Sequence, residues 1–97
     1  MSTLTKPKTT PEPVGAAVTD DTLTVELADG RSISVPLGWF PRLRHGTQQE
    51  RAHFELGRNG IHWPDLDEDI PVAGLLGGEQ SGETLQSMQR WLEQRAR

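Results

Sequence analysis

The sequence predicts an α+β domain: a small antiparallel β-meander with hairpins packed against short helices, followed by one longer amphipathic helix. Three observations carry that prediction. Between Val14 and Val35, apolar residues recur at every second position in three short runs separated by turn residues. Between Pro36 and Gly78 the chain breaks into brief segments bounded by Pro, Gly and a helix-capping signature. Beyond Glu83, Leu85, Met88, Trp91 and Leu92 follow three- and four-residue spacing.

The 97 residues divide into a tail over 1–13, one α+β domain over 14–78, and a linker with the C-terminal helix over 79–97. The tail holds Pro7, Pro11 and Pro13 and almost no large apolar residue, so it cannot offset its ordering entropy and is expected to be disordered. A domain this short buries only about 60% of its unfolded surface. Its few large side chains therefore matter most: one buried Trp is worth up to ~4–6 kcal/mol in removed apolar area. Trp39, Phe40, Phe54, Trp63 and Trp91 are the expected anchors. The chain has no Cys, which excludes disulfides, a thiolate nucleophile and Cys-ligated zinc, and suits a reducing compartment. No apolar run is long enough for a membrane span, and the N-terminus lacks the apolar centre of a signal peptide, so a cytoplasmic location is expected. A net charge of −4 argues against autonomous nucleic-acid binding, which needs a basic stripe.

The first runs fix a register. A two-residue turn at Asp20-Asp21 pairs Val18 with Leu23, Ala16 with Val25 and Val14 with Leu27, all on one face. Asp at this turn tolerates positive φ. A two-residue turn at Asp29-Gly30 would send the next apolar set to the opposite face. A three-residue loop, Ala28-Asp29-Gly30, instead pairs Val25 with Ile33 and Leu23 with Val35, and puts Gly30 at the left-handed position.

Pro36 ends the third run. Gly38 to Arg44 is a plausible short helix, with Pro41 tolerated in its first turn. Thr47-Gln48-Gln49-Glu50 is a capping box, predicting a second helix from Gln48 to about His53. Phe54-Glu55-Leu56 and Ile61-His62-Trp63 alternate with period two. A loop over Gly57-Arg58-Asn59-Gly60 makes them a hairpin with Phe54 opposite Trp63 and Leu56 opposite Ile61. Asp69 before Ile70 and Pro71 then predicts a helix start, with Gly77-Gly78 as its stop.

The densest stretch is Gly60 to Ile70, where Trp63 and Pro64 are followed by Asp65, Asp67, Glu68 and Asp69. An EF-hand reading fails, because the sixth position is Ile70 where Gly is required and the twelfth is Leu76 where Glu is required. Helix capping and a solvated acidic turn explain the same carboxylates. They also form an acidic patch fit for a basic partner. His45, His53 and His62 have no zinc spacing. Pairing His62 with Asp67 as base and orienter is conceivable, but Thr47 and Ser81, the nearby hydroxyls, have no tie to it in sequence. Arg42, Arg44, Arg51 and Arg58 are the basic concentration, and Arg42, between Phe40 and Leu43, is the expected ion-pair partner of the acidic turn. Gly74, Gly77 and Gly78 are not a phosphate loop, having no Lys-Ser/Thr after them. No cofactor or metal is assigned. The apolar stripe on the last helix either folds back on the domain or lies in a partner's groove. Trp91 on that helix leaves room for a homodimer.

Three stretches resemble a known family: Leu27 to Leu37, Trp39-Phe40-Pro41-Arg42-Leu43, and Gly60 to Ile70 continuing to Gly74-Leu75-Leu76. Over about residues 14–78 they are similar to the bacterial and phage family of domains of unknown function numbered 2442, the Trp-Pro-x-Leu-Asp-Glu-Asp run being the specific part. The resemblance implies a small α+β domain without assigned catalytic residues. It also implies an antitoxin-like half of a toxin–antitoxin pair, encoded beside another small protein. Some members carry an added helix-turn-helix domain; this chain's single last helix has no such partner helix and no basic reading face.

The expected function is thus a non-catalytic protein-binding module. Asp65, Asp67, Glu68 and Asp69 would mask a basic, toxin-like partner while Leu85, Met88, Trp91 and Leu92 cover its groove, with Trp39, Phe40, Arg42, Trp63 and Pro64 as structural anchors. The alternatives are a metal-dependent hydrolase or other small enzyme using Asp65, Asp67 and His62, and a transcription or nucleic-acid accessory protein.

Overall fold

The computed structural model describes residues 10–96. Most of the expected tail lies outside the described residues, but its last part is engaged: the Glu12 carbonyl accepts the Ala28 N–H at 2.9 Å, and the first strand already begins at Pro13. Strands β1 (Pro13–Val18), β2 (Thr22–Leu27) and β3 (Ser32–Pro36) form an antiparallel meander in the order β1-β2-β3.

Pairings Val18–Leu23, Ala16–Val25, Val25–Ile33 and Leu23–Val35 are as the alternation predicts. Gly30 has φ +95° and closes the three-residue loop, with its N–H donating to the Leu27 carbonyl at 3.0 Å. Two local expectations fail. Val14 does not face Leu27: a bulge places Pro13 there and turns Val14 outward, 56% exposed. Asp20 and Asp21 do not use positive φ either; the turn is held by Thr19, whose hydroxyl oxygen accepts the Thr22 N–H at 3.0 Å.

A 3-10 turn over Leu37–Trp39 leads into α1 (Pro41–His45), so the expected helix is split at Phe40, whose non-helical backbone before a proline restarts it at Pro41. Helix α2 (Gln48–Ala52) has the predicted capping box: the Thr47 hydroxyl oxygen accepts from the Glu50 N–H at 3.0 Å and the Glu50 carboxylate from the Thr47 N–H at 2.9 Å. Between the helices, Gly46 is required by space. A Cβ there would lie 2.8 Å from the side chain of Leu66, which is fully buried.

A second antiparallel sheet follows: β4 (Glu55–Leu56), β5 (Gly60–Trp63) and β6 (Glu68–Pro71), in that order. The hairpin of β4 and β5 pairs Leu56 with Ile61, and the Phe54 and Trp63 rings lie 6.0 Å apart, as predicted. The third strand corrects the expected helix start at Asp69. Ile70 pairs with Ile61 and His62 with Asp69, and the helix, α3 (Val72–Leu76), begins only after Pro71. Cross-strand burial of Ile70 against Ile61 outweighs a local capping signal worth about 1 kcal/mol. The pairing depends on Gly60, since a Cβ there would meet the Ile70 carbonyl oxygen at 2.6 Å. The last helix, expected over Glu83–Ala96, is α4 (Leu85–Arg95); it starts later because Thr84 caps it by accepting the Ser87 N–H at 3.0 Å. The inner faces of both sheets, with Phe40, Leu43, Leu66, Leu75 and Trp91, form one buried core.

Candidate functional site

Arg42 of α1 links the turn over residues 64–67, between β5 and β6, to Glu83 in the segment before α4. Asp67 in the turn has φ +52°, a left-handed backbone that swings the chain from β5 into β6. The turn carries Asp65 and Asp67, and β6 carries the other two predicted carboxylates, Glu68 and Asp69; the structure sends the four in different directions. Asp65 binds His53, Oδ2 to Nδ1 at 2.7 Å. Asp67 meets Arg42, whose Nη1 donates to the Asp67 carbonyl at 2.9 Å and lies 3.4 Å from its carboxylate. Asp69 binds His62, Oδ1 to Nδ1 at 2.7 Å, across the outer face of the second sheet. The Asp65 carboxylate raises the pKa of His53 above the ordinary histidine range.

The conceivable pairing of His62 with Asp67 does not form, because the β5–β6 register puts Asp69 directly opposite His62. Asp65, Asp67 and His62, grouped for the hydrolase reading, are held by three different partners. Among the described residues no three His, Asp or Glu side chains converge as a metal cluster.

Arg42 is the hub. Besides Asp67, it makes a two-point pair with Glu83, Nε to Oε1 at 2.7 Å and Nη2 to Oε2 at 3.1 Å. The guanidinium holds the Glu83 carboxyl below the usual carboxylate range, and the Ser87 hydroxyl donates to the same carboxylate. Arg42 also stands over the Trp91 ring at 5.4 Å, with Arg95 at 4.7 Å. Arg95 in turn grips Glu50 at 2.8 Å, which lowers the pKa of that carboxyl. The last helix is thus folded back on its own domain through Trp91, which is buried, and Met88, which is half-buried. Leu85 and Leu92 remain exposed. Of the other anchors, Phe40 and Trp63 are buried and Trp39 and Pro64 half-buried.

Sequence reasoning missed Glu83 as a partner of Arg42, and it placed Glu68 in the acidic cluster without its inward orientation. Glu83 lies 41 residues from Arg42, and nothing local links them. Glu68 differs, because its place was encoded: Ile70 points into the core, so the residue two before it does too. The alternation sets Glu68 opposite Trp63 on the inner face, half-buried, with no hydrogen bond or ion pair among the described residues. Burial pushes its carboxyl up to about 7, with Arg42 opposing and the Glu83, Asp69 and Asp67 charges adding.

Between the unfolded value and about 7 the folded state binds more protons than the unfolded one, so stability falls as pH rises through that window. The shift would be worth about 3 kcal/mol unscreened, reduced to about 1–2 kcal/mol because solvent reaches part of the carboxylate. Glu68→Gln is accordingly expected to raise stability by about 1–2 kcal/mol at pH 8 and to leave it unchanged near pH 4, as read by urea denaturation at both pH values.

Fold and site together define a small α+β domain whose charged groups chiefly brace its own elements. The chain belongs to the family described as a protein of unknown function, DUF2442, whose model matches residues 13–81. Among solved structures it is similar to a protein of unknown function from Rhodospirillum rubrum, at 25% identity and a TM-score of 0.63, covering 75% of this chain and 93% of that one. It also shares its fold with an uncharacterised protein from Chromobacterium violaceum, at 17% identity and a TM-score of 0.64, covering 81% of this chain and 74% of that one. No curated protein matches the chain. Among the described residues no helix is long and apolar enough to cross a membrane.

Proposed function

We propose that this chain is a non-catalytic protein-binding module, the antitoxin-like half of a two-protein system that works in the cytoplasm. The observation that supports it most is the unfinished apolar stripe of α4. Trp91 and Met88 turn inward, but Leu85, 86% exposed, and Leu92 continue the stripe into solvent two turns apart. Such a face costs solubility unless something covers it. A partner helix or groove that takes Leu85 and Leu92 buries apolar area without dislodging Trp91, and the acidic turn beside Arg42 favours a basic partner.

Co-expression with the protein encoded beside it is expected to give a stable complex. Leu85→Ser combined with Leu92→Ser should weaken that complex about tenfold or more, leaving thermal stability of the free chain unchanged. Truncation after Gly78 should weaken it at least as far, though it also removes Trp91 from the core. A complex of unaltered affinity in the double variant would remove the helix from the interface, and absence of any complex would overturn the reading.

A further inference from the structure

A second feature beside the acidic cluster lies under the strap that joins α3 to α4. Residues 79–82 arch over β6 and the start of α3, held by the Glu79 N–H donating to the Gly74 carbonyl at 2.8 Å and the Ser81 N–H to the Trp39 carbonyl at 3.0 Å. Between strap and strand is a pocket of about 250 Å³, lined by the edges of Phe40, Ile70 and Leu75 and by the acids Glu68, Asp69 and Glu79. That volume is below the ~300–1,000 Å³ of drug-sized ligand sites, so it suits one side chain better than a whole metabolite.

Charge decides which side chain. The charged groups around Glu68 are Asp67 and Asp69 from its own turn and strand, Glu79 on the strap across the pocket, Glu83 beyond the strap, and Arg42 from α1. Arg42 is already held by Glu83 at two points and by Asp67, and Asp69 by His62. Glu68 is left as a carboxylate on the greasy side of a strand with no ion-pair partner among the described residues.

We infer that this pocket receives a single lysine or arginine side chain of a protein partner, its aliphatic stem against Phe40 and Leu75 and its cationic head on Glu68. The inference rests on the protein-binding reading above and names the chemistry of the partner's anchor. A long basic side chain matches an apolar wall ending in a carboxylate, and the ion pair is partly desolvated on a surface otherwise rich in unlike use of its charges. Protons compete with the cation for Glu68, so occupancy rises with pH around neutrality.

The test uses the whole chain, 15N-labelled, titrated at 0.15 M salt with N-acetyl-arginine amide and N-acetyl-lysine amide, and with the norleucine amide as a neutral control. Expected are saturable shifts confined to residues 68–70, 74–75 and 79–82, absent with norleucine. Affinity should rise about tenfold from pH 6 to pH 8 as Glu68 loses its proton, and should fall about tenfold in Glu68→Gln. No saturable shift, shifts spread over all the acidic surface, displacement by equimolar Mg²⁺, or unchanged binding in Glu68→Gln would each overturn the inference. Because the probes need no partner, these outcomes are separate from the co-expression result. A partner complex that forms normally with Glu68→Gln would overturn the anchor while leaving the module reading intact.

Discussion

Trp63→Ala is expected to remove about 3–5 kcal/mol of stability, the usual range for truncating a buried aromatic. Trp63 is 0% exposed, stacks obliquely on Phe54, and donates its indole N–H to the Arg51 carbonyl at 3.0 Å. The loss has two parts: a cavity between the second sheet and α2, and a buried carbonyl left without its donor. Against a total of about 5 kcal/mol for a small domain, the variant should be largely unfolded. Loss of the cooperative urea transition in circular dichroism would register this. Trp63→Phe keeps most of the packing and should retain the transition at a lower midpoint. A fully cooperative Trp63→Ala with unchanged midpoint would mean that the core does not depend on this ring.

Arg51→Met is expected to cost about 2–4 kcal/mol, since each hydrogen bond to a charged group is worth about 1.5–3 kcal/mol. Arg51 is 8% exposed and is the buried charged residue among those described. From α2 its Nε donates to the Leu43 carbonyl at 2.8 Å and its Nη2 to the Arg44 carbonyl at 2.7 Å, capping the end of α1. Its Nη1 reaches Asp20 in the first hairpin turn at 3.1 Å. Methionine keeps the stem but removes every donor, leaving the Arg44 carbonyl without the guanidinium and the Leu43 carbonyl with only the Gly46 N–H. Asp20 is 98% exposed, so Asp20→Asn should cost well under 1 kcal/mol. Comparing the two variants by urea denaturation separates capping from the ion pair. Equal costs would assign Arg51 to the surface bridge.

How much of this was legible depends on the range of the interaction. The meander was readable because period-two burial and loop length constrain each other: only a three-residue loop keeps Val25 and Ile33 on one face. The capping box at Thr47 was readable because all its atoms lie within four residues. The strand over Glu68–Pro71 was not legible, since a Pro and two acidic positions outweighed the single Ile70. Its partner Ile61 is what makes it a strand. The acidic turn was visible as a cluster, and Arg42 as its partner, but the allotment of each carboxylate was not.

By itself the sequence determined the local half of this protein: its α+β class, the first sheet's register, the α2 cap, the anchoring rings and a C-terminal helix with one apolar stripe. Tertiary structure alone decided that Glu83 and Asp67 share Arg42, that Arg51 caps a helix not its own, and that Trp91 turns inward while Leu85 stays out. The physical reason is the separation in chain. Backbone preference and alternation act over a few residues, whereas these contacts are chosen by which surfaces remain uncovered after the sheets have packed.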